Sequence, residues 1–272
     1  MTQPVAPFNI VDGDPAAGIV ILCDHASNYL PPEYGTLGID RNEFERHIAY
    51  DIGAADLARG LSERLNAPAV LSHFSRLLID PNRGEDDPTI VMRLSDGTIV
   101  PGNHPISEKE IQHRIDHFHA PYHDAVDDVI EQSIATGNNP IIFSIHSFTP
   151  LWKNIPRPWH AAMLWDADPR LPKFMIDKLR ALPDMIIGDN EPYDGALKND
   201  TMYRHATRRG LVQGLLEVRQ DLIDDAAGVR DWVNHLAPML EEANQRADMH
   251  ETVHFGSRSD GTARKDGNDG SN

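Results

Sequence analysis

Short apolar runs of strand length alternate along this chain with longer stretches in which apolar residues recur at helical spacing. Gly18–Cys23 (GIVILC), Ala69–Ser72, Pro140–Ile145, Ala161–Trp165 and Gln213–Val218 are the clearest apolar runs. They predict buried strands, and Leu77–Ile79 and Met185–Ile187 predict two more short ones. Asp40–Leu65 reads as one helix, with Phe44, Ile48, Ile52 and Leu57 close to a common face. Ser107 and Glu110 have capping-box spacing and start a helix running to about Thr136. Asp168–Leu182, Thr201–Gly210 (stopped by Gly210) and Ala227–Asp248 complete the helices. Strand and helix in alternation predict an α/β fold, a single sheet covered on both faces. Strand order is not readable from the pattern. The first 15 residues, with Pro4, Pro7, Gly13 and Pro15, read as an irregular lead-in. Residues 16–255 read as a single α/β domain. Gly256–Asn272, rich in Gly, Ser, Asp and Asn, reads as a disordered tail.

Composition narrows the class. The chain has 272 residues, 40% of them hydrophobic, enough for a sizeable core. Its 25 Lys and Arg against 42 Asp and Glu give a net charge of −17. Such a surface repels phosphate backbones and anionic membranes, so neither nucleic acid nor a membrane is expected as a partner. Local arginines still leave room for a small anionic substrate. No run of about 18 apolar residues occurs. Cys23 has no second cysteine to pair with, and no signal peptide is apparent, so a cytoplasmic location is expected.

The candidate chemistry sits at the ends of the apolar runs. Ile19–Asn28 (IVILCDHASN) and Pro140–Ser147 (PIIFSIHS) each reach a histidine, His25 and His146. Ligands of open α/β sheets bind beyond the carboxyl ends of strands, so two such imidazoles can meet at one hydrolytic metal centre, of the kind zinc forms with three protein ligands and a water. Asn28, three residues after His25, is the candidate third ligand, with Asp24 as the alternative. Asp51, in HIAYDIGA, is a candidate to support a histidine. Ser75–Arg83 (SRLLIDPNR) offers an anion clamp in Asn82 and Arg83. Arg76 could instead polarise a scissile carbonyl. The bland alternative is a solvated loop with Asp80 paired to an arginine. Glu217, inside the apolar run GLLEVRQDL, would be pushed by burial towards the range of a general base. Its alternative is an ion pair with Arg219, which could also orient Glu217 or bind substrate. His205, in YRHATRRG, is a candidate substrate contact. Cys23 is expected to be a packing residue. The chain lacks a phosphate-binding P-loop, a dinucleotide fingerprint, a G-x-S-x-G elbow and H-E-x-x-H.

With these residues in view, the chain resembles the N-formylglutamate amidohydrolase family. The resemblance rests on six strings in order: CDHASNYLP, SRLLIDPNR, FSIHSFTP, GDNEPYDG, YRHATRRG and EVRQDLI. They span about Cys23 to Ile223. The family is similar to zinc carboxypeptidases and aspartoacylase-like deacylases, which implies a three-layer sandwich with a mixed central sheet. It also implies that His25 and His146 bind one Zn2+, for which Co2+ or Mn2+ could substitute. Asn28 stands where the relatives carry a glutamate ligand, a departure that implies a weakly held ion. Asn82 and Arg83 would bind the substrate carboxylate, Arg76 would polarise the carbonyl and Glu217 would be the base. The implied substrate is a small anionic N-acyl amino acid, with N-formyl-L-glutamate the leading candidate. A two-metal phosphoesterase and a non-catalytic anion-binding module are the competing readings. All of this requires the His25 and His146 rings to lie within about 8 Å of each other.

Overall fold

The computed structural model describes residues 5–261. Seven strands form one mixed sheet: β1 (Phe8–Val11), β2 (Ile19–Cys23), β3 (Ala69–Ser72), β4 (Ile141–Phe148), β5 (Ala161–Leu164), β6 (Ile187–Asp189) and β7 (Gln213–Arg219). Their order across the sheet is β1-β3-β2-β4-β7-β5-β6. The four inner strands β3, β2, β4 and β7 are mutually parallel. β1 joins β3, and β5 joins β7, in antiparallel fashion. The parallel block directs four carboxyl ends to the same edge, which is where a crevice forms.

Residue alternation distributes the apolar runs between two helical layers. Ile19, Ile21, Phe143, Ile145, Leu216 and Val218 pack on one face. They meet α1 (Ala54–Leu65), α4 (Arg170–Arg180) and α6 (Ala226–Asn244) through Leu57, Leu61, Met175, Leu179, Leu236 and Leu240. Val20, Leu22, Val70, Ile142 and Leu215 face the other way. They meet α3 (Ala120–Ile134) and α5 (Thr201–His205) through Tyr122, Val126, Ile130 and Met202. The expected three-layer α/β sandwich with a mixed central sheet is therefore the observed fold. α3 continues from a short α2 (Glu108–Arg114) through a π-helical turn at Ile115–His119. The Ser107 hydroxyl caps α2 by accepting from the Glu110 amide at 3.2 Å.

Several elements depart from the pattern-based expectation. The helix expected over Asp40–Leu65 is a 3-10 turn at Arg41–Glu45, an irregular stretch, and then α1 from Ala54. Gly53 causes the break. It has φ +78°, and a Cβ there would lie 2.1 Å from the Ile223 carbonyl oxygen. Leu77–Ile79 is not a strand but part of a turn, where the Leu78 amide donates to the Ser75 carbonyl at 2.9 Å. The expected irregular lead-in supplies edge strand β1, whose exposed Ile10 alternates with half-buried neighbours. Within the expected disordered tail, Arg258–Gly261 forms a 3-10 turn. Its Arg258 guanidinium donates to the Asp194 carboxylate at 2.6 Å. Residues 262–272 lie outside the described residues. Among the described residues no helix is long and apolar enough to cross a membrane.

The Gly53 contact makes a measurable claim. Gly53→Ala should destabilise the protein well beyond the roughly 1 kcal/mol expected for a left-handed residue gaining a Cβ. Gly97→Ala is the control, since Gly97 has φ +81° but open space around its Cβ position. Equal urea-unfolding midpoints for the two variants would remove the steric argument.

Candidate active site

The parallel strands deliver their side chains to one cavity of about 530 Å³, lined by His25, Asp51, Arg76, Arg83, His146 and Glu217 among others. His146 lies on β4 and Glu217 on β7, and the two are directly paired across the parallel ladder. Each follows a residue buried against the α1 layer, so alternation turns both to the opposite face. His25 leaves the end of β2 two residues after Cys23. The loop after β3 contributes Arg76, Asn82 and Arg83.

The two imidazoles converge. Their centroids are 4.9 Å apart with planes at 80°, well inside the separation a shared site requires. Between them stands the Asp51 carboxylate. Its Oδ2 is 2.9 Å from His146 Nδ1 and 3.3 Å from His25 Nδ1. One ligand atom from each of His25, Asp51 and His146 falls within 4.8 Å of the others, and all three residues are buried. The outer nitrogens point the other way: His25 Nε2 lies 2.8 Å from Asp80 Oδ1, and His146 Nε2 lies 3.1 Å from Asp24 Oδ2. A carboxylate behind each imidazole, with the remaining nitrogen turned inwards, is how metal-binding histidines are oriented.

Asp51 reaches this point because α1 starts late. Its amide donates to the His25 carbonyl at 2.9 Å, while Ser75 Oγ donates to the neighbouring Ala49 carbonyl at 2.8 Å. The irregular segment is thereby tied to both loops that carry the site. The Ser147 amide adds a 3.3 Å bond to Asp51 Oδ2.

Buried charges dominate the electrostatics. Burial alone would raise the Asp51 carboxyl, but the His25 and His146 imidazoles hold it well below the usual carboxylate range. Asp80 is likewise depressed against its burial, by Arg76 and His25. Asp24 and Asp51 raise His146 against the opposing effect of burial. Glu217 differs from these. Burial pushes it up to about 7, with His146 opposing, and its Oε2 is buried without a hydrogen-bond partner. Arg76 is anchored by Nη2 on Asp80 Oδ2 at 2.7 Å, and Nη1 lies 3.2 Å from His25 Nδ1. Its Nε is buried and unpartnered. A buried base and a buried guanidinium nitrogen, both with unused hydrogen-bonding capacity beside the imidazoles, suit a site built for a reacting group.

Three residues singled out in the sequence lie elsewhere. Asn28 does not line the cavity, and its Nδ2 donates to the Phe44 carbonyl at 2.9 Å. Among the His, Cys, Asp and Glu side chains of the described residues, Asp51 is the one that joins His25 and His146 in a group able to hold a metal ion. Arg219 pairs with Asp221 at 2.7 Å rather than with Glu217. His205 is buried between Asp127 and His123, at 2.9 Å and 2.7 Å. Asn82 does line the cavity. Its amide nitrogen donates to Asp80 Oδ1 at 2.9 Å, and its side-chain oxygen accepts from the Thr201 amide at 3.3 Å. Arg83 Nη1 donates to the Asn82 carbonyl at 3.2 Å, and an Asp87 oxygen lies 4.0 Å from its Nε. Of the supporting carboxylates, Asp24 is the sequence's alternative ligand and Asp80 its arginine partner; Asp80 does pair with Arg76, and Asp24 stands behind His146. Each immediately follows an apolar run and ends on a polar loop, which is the signal that marks them.

Comparison with known proteins agrees with this geometry. The family model for N-formylglutamate amidohydrolase matches residues 17–224. The chain belongs to that family, and its class is amidohydrolase. A solved structure of the gene product Atu2144 from Agrobacterium tumefaciens is similar with a TM-score of 0.82 and 30% identity, covering 88% of this chain and 95% of that one. The structure of N-formylglutamate amidohydrolase from Ralstonia eutropha JMP134 shares the fold, with a TM-score of 0.62 and 19% identity over 88% of this chain and 97% of that one. No curated protein sequence matches the chain.

The depressed Asp80 pKa sets a stability prediction. A group whose carboxyl is lowered on folding stabilises the protein above its unfolded pKa of about 3.8, and that contribution is lost as pH falls through the folded value. Asp80→Asn leaves Arg76 and His25 short of a charge partner. It should cost roughly 3 kcal/mol at pH 7, and the gap from wild type should close as pH drops below about 3.8. Urea unfolding at pH 7 and pH 3 measures both.

Proposed function

We propose that the protein is a metal-dependent hydrolase that cleaves the amide bond of a small anionic N-acyl amino acid, with N-formyl-L-glutamate the leading candidate. The observation that carries this reading is Glu217. Its carboxyl is buried, raised and unpartnered, and it is paired across the sheet with His146 beside the His–Asp–His group. Two imidazoles and a carboxylate form the donor set of hydrolytic zinc centres. His25, Asp51 and His146 would hold one Zn2+, with Co2+ or Mn2+ as substitutes. The ion would supply Lewis acidity that acidifies water and polarises the amide carbonyl.

The chain's own residues do the rest. Glu217 takes a proton from the attacking water and returns it to the leaving amine, a task suited to a base near neutrality. Arg76, fixed by Asp80, donates to the oxygen that gains negative charge as the carbonyl becomes tetrahedral. Asn82 and Arg83, on one loop and facing the same cavity, hold the substrate carboxylate. The Arg83 guanidinium, held by one bond to the Asn82 carbonyl, keeps further donors to do so. A two-ion phosphoesterase is disfavoured because, among the described residues, one group of three donors is found. A purely binding module would have no use for an unpaired buried carboxylate, which costs folding energy.

Three experiments test this reading. Glu217→Gln should lower kcat by about 10³-fold or more while metal content, measured by atomic emission, stays at wild-type level. Because the base acts when ionised, wild-type kcat should fall as pH drops through about 7. Activity retained by the variant excludes Glu217 as the base. Asp51→Ala should lose the bound ion, whereas Asn28→Ala should keep it. The reverse outcome would restore Asn28 as the ligand.

A further inference from the structure

A second group of histidines lies outside the cavity, buried between α3 and α5. His205 Nδ1 is 2.9 Å from Asp127 Oδ1, and His205 Nε2 is 2.7 Å from His123 Nδ1. His123 Nε2 is 3.0 Å from the Pro81 carbonyl oxygen. Beside this chain, His119 Nε2 is 2.9 Å from the Arg83 carbonyl oxygen. Both imidazoles of the chain are buried, whereas the Asp127 side chain is 51% exposed. The series therefore runs from the surface to the Pro81 carbonyl, while His119 bonds the Arg83 carbonyl on the other side of Asn82.

Counting protons fixes its charge. The Asp127 carboxylate and the Pro81 carbonyl can only accept. Three hydrogen bonds in series between them need three protons, and two neutral imidazoles carry two. The pair must hold one more, giving a single positive charge opposite Asp127. Burial pushes His123 well below the ordinary histidine range, helped by His119, His205 and Arg204. With one proton between His123 Nε2 and the Pro81 carbonyl and one between His205 Nδ1 and Asp127, the third lies between His205 Nε2 and His123 Nδ1. Burial works against ionised Asp127, but His205, Arg209 and Arg204 hold its carboxyl low. Arg209 Nη1 is 3.2 Å from Asp127, and Arg209 also engages Glu131.

We propose that Asp127, His205 and His123 are positioning residues, an ion-paired relay that fixes the Pro81–Arg83 backbone and so aims Asn82 and Arg83 at the substrate carboxylate. The aiming step rests on Asn82 and Arg83 acting as the clamp described above. Three hydrogen bonds and a partly buried ion pair would otherwise be an expensive way to pack two helices against a loop.

Histidine side-chain ¹⁵N spectra of the full-length, metal-loaded protein at pH 8 test the proton count, with His123→Gln and His205→Gln used for assignment. One doubly protonated ring and one neutral ring are expected. Two neutral rings would overturn the relay, and the wild-type spectrum decides this without any variant. In Asp127→Asn the charged ring should become neutral and the Asn82 and Arg83 amide resonances should shift. Unmoved amides would equally overturn it. KM for an N-acyl amino acid should rise about fivefold, the worth of one hydrogen bond, with kcat unchanged. KM for the matching N-acyl amine should not move, and Asp127→Glu should restore the wild-type value. Shifted amides with equal KM changes for acid and amine would keep the relay and retire the clamp.

Discussion

One carboxylate shared by two buried imidazoles holds this site together. Asp51 Oδ2 faces His25 Nδ1 and His146 Nδ1. A lone carboxylate at this depth would cost several kcal/mol, so its presence presupposes positive partners on both sides. Asp24 and Asp80 repeat the logic one step outwards, each bonding the far nitrogen of one ring. The result is an alternating series, Asp80–His25–Asp51–His146–Asp24, in which every imidazole lies between two acids. Tyr122 and Thr201 then donate to Asp24 at 2.8 Å each, and Arg76 closes the other end on Asp80.

That series explains why the fold is mixed where it is. Parallel strands β2, β3, β4 and β7 bring His25, the Arg76 loop, His146 and Glu217 to one edge, with the residues of each strand alternating between helical layers. The antiparallel strands β1 and β5 lie outside this block and add width without adding chemistry at that edge. Glu217 belongs to the same geometry but not to the same charge series. It is the acid near the imidazoles left without a bonded partner for Oε2, and this separates a group available for proton transfer from groups committed to holding the scaffold.

Much of this was legible in the residues. His25, His146 and Glu217 were marked by a polar residue placed in or just after an apolar run, because burial makes such residues costly and therefore informative. Arg76, Asn82 and Arg83 were marked by clustering in a single loop. Asp51 was visible as a neighbour of the site but not as a donor, since the Asp40–Leu65 pattern reads as continuous helix. The break depends on the Gly53–Ile223 approach, a contact between segments 170 residues apart that local periodicity does not record. The orientation of Asn28 is hidden for a related reason. Sequence spacing cannot show that the chain turns its amide towards Phe44. Arg219 and His205 had partners closer to hand than the cavity, Asp221 for one and the Asp127–His123 pair for the other. β1 was masked by the prolines and glycine around it, because an edge strand needs little apolar sequence of its own.

The direct pairing of Glu217 with His146 limits how this lineage can change. Both residues owe their facing to the two-residue repeat of adjacent strands. An inserted or deleted residue within Gln213–Leu216 or Ile141–Ile145 would rotate one of them into the layer occupied by α1 and α6. Exchange of one aliphatic side chain for another in those segments is tolerable, whereas a change in their length is not. Variation in chain length is therefore channelled into the surface loops around the mouth, and new specificities in this scaffold should arise there rather than in the strands.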